Sequence, residues 1–383
     1  MSLSKSRFIE MFGRLGCDDK KWGMVSLGEF CSLNPQKSEL NNISDDTEVS
    51  FLPMSSVSEN GELTLSERKQ YGEVKSGFSY FADGDVLFAK ITPCMENGKG
   101  AVAKGLCNNI GFGSTEFHVL RVKTSVCNPY WLYELLSLRQ FRKIAEQNMT
   151  GSAGQKRVPA KFLQNFKLSL PPIKLQNEYV SISQQIDKSK FLLQKILEKL
   201  ELLKKSRFIE MFDLYKEKKL SEVAEIIMGQ SPDSNSYNNT EMGLPFYQGK
   251  TEFSDKYIGS PVTWCSSPCR IAEKNDILMS VRAPVGDVNI ATEKCCIGRG
   301  LASIRPLDGE STFLFYALKL KKAEIASKGN GSTFKAINKE TVHSITIPDV
   351  PQELKVKFSM FAEQIDKSKL VIQKSLEDLV GKL

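Results

Sequence analysis

From Gln176 to Phe212 polar and apolar residues follow one another in helical rhythm, with no proline or glycine between them. At about 1.5 Å per residue, such a helix spans roughly 55 Å. Within it Ile186, Leu193 and Leu200 recur every seventh position, and Ile196 and Leu203 fall on companion positions, the pattern of a coiled-coil seam. A second helical stretch near the C-terminus keeps the spacing through Ile365, Ile372 and Leu379. There Ser368 and Ser375 hold the companion positions, so a weaker seam is predicted. Each helix leads out of one globular region and into the other, which predicts an antiparallel pair.

Proline-rich breakers announce both helices, Leu170-Pro171-Pro172 and Ile347-Pro348-Asp349-Val350-Pro351. Between the helices the texture changes to short β-rich runs with Gly, Pro and Asn turns. These variable regions resemble each other faintly. Asp85-Val86-Leu87-Phe88-Ala89-Lys90 aligns with Asp276-Ile277-Leu278-Met279-Ser280-Val281, and the same offset carries Pro93 onto Pro284. Asn128-Pro129-Tyr130-Trp131 and Ser311-Thr312-Phe313-Leu314 each read as a capped helix start.

Lys5-Ser6-Arg7-Phe8-Ile9-Glu10-Met11-Phe12 recurs letter for letter from Lys205 to Phe212, 200 positions later. A second repeat, Gln185 to Lys190 against Gln364 to Lys369, is offset by 179. The two offsets reconcile if the second repeat unit is cut in two, its first part closing the chain and its last turns opening it. The predicted class is α+β: two β-rich globular domains separated by a pair of long antiparallel coiled-coil helices, in a pseudo-twofold, cyclic arrangement. Residues 1–21 complete the second helical repeat, 22–155 and 219–333 form the variable domains, and 156–218 and 334–383 form the helical regions.

The 383 residues, 41% hydrophobic, suffice for two cores. No apolar run reaches membrane-spanning length and the start lacks a signal-peptide core, so a cytoplasmic protein with no membrane partner is expected. Nine cysteines form no regular disulfide framework and are expected to be reduced. A net charge of +7 suits a polyanionic partner without requiring one.

Catalytic signatures are wanting. No phosphate-binding Gly-x4-Gly-Lys loop occurs, and the two histidines, His118 and His343, lie in strand-like settings. Asp349 and Glu353 imitate a nuclease carboxylate pair, but three intervening residues leave no room for adjacent strands, and a helix start favours acidic residues anyway. Asn128-Pro129-Tyr130-Trp131 lacks one proline of the adenine methyltransferase motif. Cys265, Cys269, Cys295 and Cys296 have an atypical spacing for zinc, so buried thiols and no metal are expected.

What remains is basic and amide residues at predicted turns: Lys90, Lys99 and Lys104 in the first variable region, Gln248, Lys250, Arg282 and Arg299 in the second. Arg reads guanine, Gln reads adenine, and Lys neutralises phosphate. Glycine turns precede both breakers, Thr150 to Arg157 with Lys156 and Arg157, and Lys328 to Lys335; their backbone amides beside these cations suit phosphate, or serve as hinges.

Taken together, the chain resembles the specificity subunit of a type I DNA restriction-modification system over essentially its whole length. The resemblance rests on the alternation of variable and helical regions, on Asp276 to Arg282 with Ile297-Gly298-Arg299-Gly300-Leu301, and on the Gly331-Ser332-Thr333 turn leading to Ile347-Pro348. The first domain has Lys90-Ile91 where the second has Val281-Arg282. The resemblance implies a non-catalytic subunit whose domains each read one half of a split double-stranded DNA target, with the helices setting the spacer. It implies two methyltransferase subunits carrying S-adenosylmethionine and, where the system cleaves, two motor-nuclease subunits with ATP and Mg. The chain itself carries no cofactor in this reading. Alternatives are the specificity subunit of a methylation-only system, a self-sufficient DNA methyltransferase, or a coiled-coil adaptor with no DNA role.

Overall fold

The computed structural model describes residues 3–40, 42–152, 154–329 and 336–381. The chain divides into two compact units, residues 1–192 with 375–383, and residues 193–374. They are called unit 1 and unit 2. The long central helix, Ile173–Phe212, and the C-terminal helix, Gln352–Gly381, each contribute to both. No described helix is long and apolar enough to cross a membrane.

Each unit carries the same two principal sheets. In unit 1 an antiparallel sheet runs in the order Cys31–Leu33, Phe117–Val122, Val86–Ala89, Gly100–Val102. In unit 2 the order is Ala224–Met228, Leu301–Pro306, Ile277–Ser280, Val288–Ile290, again antiparallel. The second sheet is built on a parallel pair, Glu48–Leu52 with Ile110–Gly113 in unit 1 and Leu244–Tyr247 with Cys295–Ile297 in unit 2. A two-stranded ribbon completes each unit, Met24–Ser26 with Lys167–Ser169, and Glu217–Lys219 with Thr346–Pro348.

The strands aligned from sequence are the central ones, and their apolar runs are explained by burial on both faces. Side chains alternate across a strand, so Val86 and Phe88 enter the core beneath the helices while Leu87 and Ala89 enter the core between the sheets. Ile277 and Met279 against Leu278 repeat the division. Asp85 and Asp276, at the head of these strands, are 1% exposed. Each is gripped through both oxygens by an arginine of the neighbouring strand, Arg121 at 2.7 and 2.6 Å and Arg305 at 2.8 and 2.9 Å.

The repeated octapeptide lies in the helix Leu3–Phe12 in unit 1 and in the last turns of the central helix in unit 2. Phe8 stacks on Trp131 with ring centroids 5.7 Å apart, and Phe208 stacks on Phe313 at 5.6 Å. Tyr179 meets Phe8 and Phe12 edge-on at 5.4 and 5.2 Å, and Phe358 meets Phe208 and Phe212 at 5.2 and 5.6 Å. Tyr179 and Phe358 stand in register on the offset of 179. The N-terminal helix therefore fills in unit 1 the place that its twin fills in unit 2, as a repeat unit divided between the ends of the chain requires.

The helices are antiparallel within unit 2, because Lys204 pairs with Asp366 at 2.8 Å and Phe208 meets Phe358 further along. The companion positions of the seam need correction. Ile196 and Leu203 are 42% and 48% exposed. The inner face runs instead through Leu193, Leu197, Leu200 and the buried Lys204, with Ile186 half-buried on the same face. A step of four from Leu193, not three, keeps this face inward, and the C-terminal helix repeats it through Ile365, Lys369, Ile372, Leu376 and Leu379. Ser368 and Ser375 are accordingly exposed.

Local expectations divide similarly. Asn128 caps the helix Pro129–Ser137, its side-chain oxygen accepting from the Tyr130 amide at 2.9 Å. The helix Ser311–Leu320 has Glu310 at its cap and no side-chain cap bond. His118 lies in a strand, whereas His343 ends the short helix Lys339–His343, capped by Asn338. Asp349 pairs with Lys218 at 2.9 Å.

Candidate nucleic-acid interface

In unit 2 the exposed candidates gather where strands end. The parallel pair places Tyr247 beside Ile297, so Gln248 and Gly298 leave the sheet together. Gly300 binds both neighbours: its amide donates to the Gln248 carbonyl at 3.1 Å and its carbonyl accepts from the Val281 amide at 2.9 Å. A Cβ on Gly300 would meet the Gln248 carbonyl oxygen at 2.3 Å, so only glycine permits this approach. Gln248, Arg282 and Arg299 are thereby held at one junction with all three side chains exposed. The Arg299 guanidinium lies 3.4 Å from the Ser231 hydroxyl. Amide and guanidinium groups at one exposed edge are the donors and acceptors that base edges require.

Other candidates are committed to protein partners. Lys250 pairs with Asp287 at 2.8 Å, and Lys322 reaches the same carboxylate. Burial works against the Asp287 carboxylate, but these two lysines hold its pKa below the usual range. Lys328 pairs with Glu324 at 2.8 Å. Lys335 and the Gly331-Ser332-Thr333 turn lie outside the described residues.

The same junction in unit 1 carries different chemistry. The Lys90 amide donates to the Glu116 carbonyl at 2.9 Å, as Val281 does to Gly300, so Ile91 stands at the place of Arg282. Ile91 pairs with Arg157, and Arg282 with Ala336. Arg157 grips Glu116 through two hydrogen bonds of 2.9 and 2.8 Å, which hold the Glu116 carboxyl below its ordinary pKa. Lys156 is exposed beside it, Lys90 is half-buried, and Lys99 donates to the Met54 carbonyl at 3.2 Å. Lys104 is exposed on the turn after Gly100–Val102, apart from the others. The glycine turn before the first breaker is closed by reciprocal Thr150 and Arg157 backbone bonds of 3.0 and 2.8 Å, a small hairpin.

His118 and three of the four candidate zinc cysteines are packed inside the protein. His118 is 4% exposed with Nε2 2.8 Å from the Val158 carbonyl, and burial lowers its pKa. Cys265, Cys295 and Cys296 are buried free thiols, and burial pushes Cys295 up to about 12. Cys269 is exposed. Sequence reasoning missed the acidic partners Glu116 and Asp287, for which no local pattern exists. It also missed the Asp–Arg grips, although Asp85 and Asp276 head the aligned strands.

The profile of the family described as "Type I restriction modification DNA specificity domain" matches residues 19–202 and 213–379. The chain is 36% identical over 293 residues to a protein of Methanocaldococcus jannaschii described as the putative type I restriction enzyme MjaX specificity subunit, covering 70% of this chain and 68% of that one. Among solved structures it resembles the HsdS subunit from Thermoanaerobacter tengcongensis, with 27% identity, a TM-score of 0.51 and coverage of 94% and 93%. It also resembles a chain from work titled as the structural basis of complex assembly and conformational transition of the type I R-M system, with 28% identity, a TM-score of 0.64 and coverage of 94% of both chains. With two copies of the domain, each covering most of one unit of the same two-sheet plan, the chain belongs to the type I restriction-modification DNA specificity subunit family.

Proposed function

We propose that this chain is the non-catalytic subunit that selects the DNA target of a type I complex. Each unit reads one half of a bipartite duplex target, and the helices set the spacer between halves. The observation that carries this reading is the shared junction with different side chains: Gln248, Arg282 and Arg299 in unit 2, against Ile91, Lys156 and a Glu116-bound Arg157 in unit 1. One frame with two chemistries suits two unlike half-sites.

The exposed apolar residues Ile196, Leu202 and Leu203 on the central helix give methyltransferase subunits a surface to cover. Two such subunits supply S-adenosylmethionine and the methyl transfer; motor-nuclease subunits, where present, supply ATP- and Mg-dependent cleavage. The complex acts in the cytoplasm. Co-expression with its methyltransferase subunits in cells lacking DNA methylation, followed by whole-genome modification sequencing, tests the reading. A split, asymmetric methylated motif is expected; an unsplit motif, or none from an active complex, contradicts it.

A further inference from the structure

Unit 2 contains a cluster of charge, built on three buried lysines, that reading DNA does not require. The segment between Leu244–Tyr247 and Trp264–Cys265 carries Asp255 and Lys256. Lys256 pairs with Asp366 at 2.9 Å, and Lys204 reaches the other oxygen of that carboxylate at 2.8 Å. Lys204 also meets Glu201 and the Tyr316 hydroxyl, both at 2.9 Å. Lys369 pairs with Asp255 at 2.6 Å and with Glu201. Lys204, Lys256 and Lys369 are 2%, 9% and 8% exposed. The segment is fixed to the sheet as well, since Asn289 exchanges hydrogen bonds of 2.8 and 2.9 Å with the Ser254 backbone.

Buried ion pairs contribute little net stability against apolar packing, and their best-attested use is to specify one geometry. Here they tie the sheet-borne segment to both helices. Unit 1 keeps the aromatic cluster and the carboxylate, as Asp187, but the matching segment, 53–67, has no lysine or arginine. On the offset of 200 the sequence has Met1 and Ser4 at the places of Glu201 and Lys204. Among the described residues Asp187 pairs only with Lys190, at 3.9 Å, whereas Lys204 and Lys256 hold Asp366 below its ordinary pKa against its own burial.

We propose that this ionic clamp seats the second recognition domain on the helix pair in one orientation, so that Lys256, Lys204 and Asp366 are positioning residues for spacer selection. The inference rests on the function proposed above.

The test uses the complex with its methyltransferase subunits and modification sequencing of wild type, Lys256→Gln, Lys256→Arg and Asp187→Asn. Lys256→Gln is expected to methylate additional sites whose spacer is one base pair longer or shorter, at roughly a tenth of the wild-type level, as for a domain given a second, tenfold less populated seat. Both half-site sequences stay unchanged, and Lys256→Arg and Asp187→Asn keep the single spacer. Should Lys256→Gln fail to assemble, Asp255→Asn removes a rim charge of the same clamp and is expected to widen the spacer similarly. A single spacer in the assembled variant, or uniform loss at all sites, overturns the clamp. A wild-type complex without a split motif overturns the functional reading instead.

Discussion

In unit 1 Phe8, Phe12, Trp131 and Tyr179 pack as four rings, and in unit 2 Phe208, Phe212, Phe313 and Phe358 reproduce the arrangement to within 0.6 Å in every shared centroid distance. The first strand-end junction, by contrast, presents Ile91 and a neutralised Arg157, and the second presents exposed Gln248, Arg282 and Arg299. The frame is preserved where a side chain must fit several neighbours at once. The edge has changed where a side chain faces solvent, because exchange there costs little stability. A duplicated molecule can thus acquire two readers without rebuilding either domain.

The largest test of this comparison lies in the rings. Phe8→Ala and Phe208→Ala are each expected to cost about 3–5 kcal/mol in denaturant unfolding. Equal costs support equivalence of the two sites; a negligible cost for Phe8→Ala breaks it. Next come the paired grips. Asp85→Asn and Asp276→Asn each weaken a charge-assisted bond to a partly exposed arginine, for about 2 kcal/mol apiece. A much smaller loss in one unit would show that the two grips are not equivalent.

The corrected seam predicts that Leu200→Ala costs about 1 kcal/mol by area removed from the interface. Leu203→Ala should leave stability unchanged and weaken association with the methyltransferase subunit, measured by calorimetry. The smallest effect separates the central sheets, where His118 in unit 1 stands at the position of Ala302 in unit 2, opposite Phe88 and Met279 respectively. Burial depresses the His118 pKa, so its neutral form contributes stability above about pH 6.5 that is lost as pH falls through the lower folded value. His118→Gln should flatten that dependence in pH-dependent unfolding, and an unchanged profile would remove His118 as its source.

Much of the frame was legible in the chain because it rests on periodicity. The two offsets located the divided repeat, and the Asp85 and Asp276 segments located the central strands. The seam was read one residue out because a seven-residue repeat allows companions three or four positions on, and apolar Ile196 and Leu203 were favoured over Leu197 and a buried lysine. Lys204 inverts the usual rule for lysine, and only its partners Asp366 and Glu201 explain it. Among the edge residues, type and place were legible but partnership was not: Arg157 and Lys250 look like Arg282 in sequence until Glu116 and Asp287 are brought to them by the fold.

The most direct measurement is the methylome of the complex carrying Gln248→Ala, Arg282→Ala and Arg299→Ala together, compared with wild type. One half-site should lose base selectivity, at about 1–3 kcal/mol for each lost bidentate contact, while the other half and the spacer stay as they were. Equal loss in both halves, or an unchanged motif, would contradict the assignment of one reader to each unit.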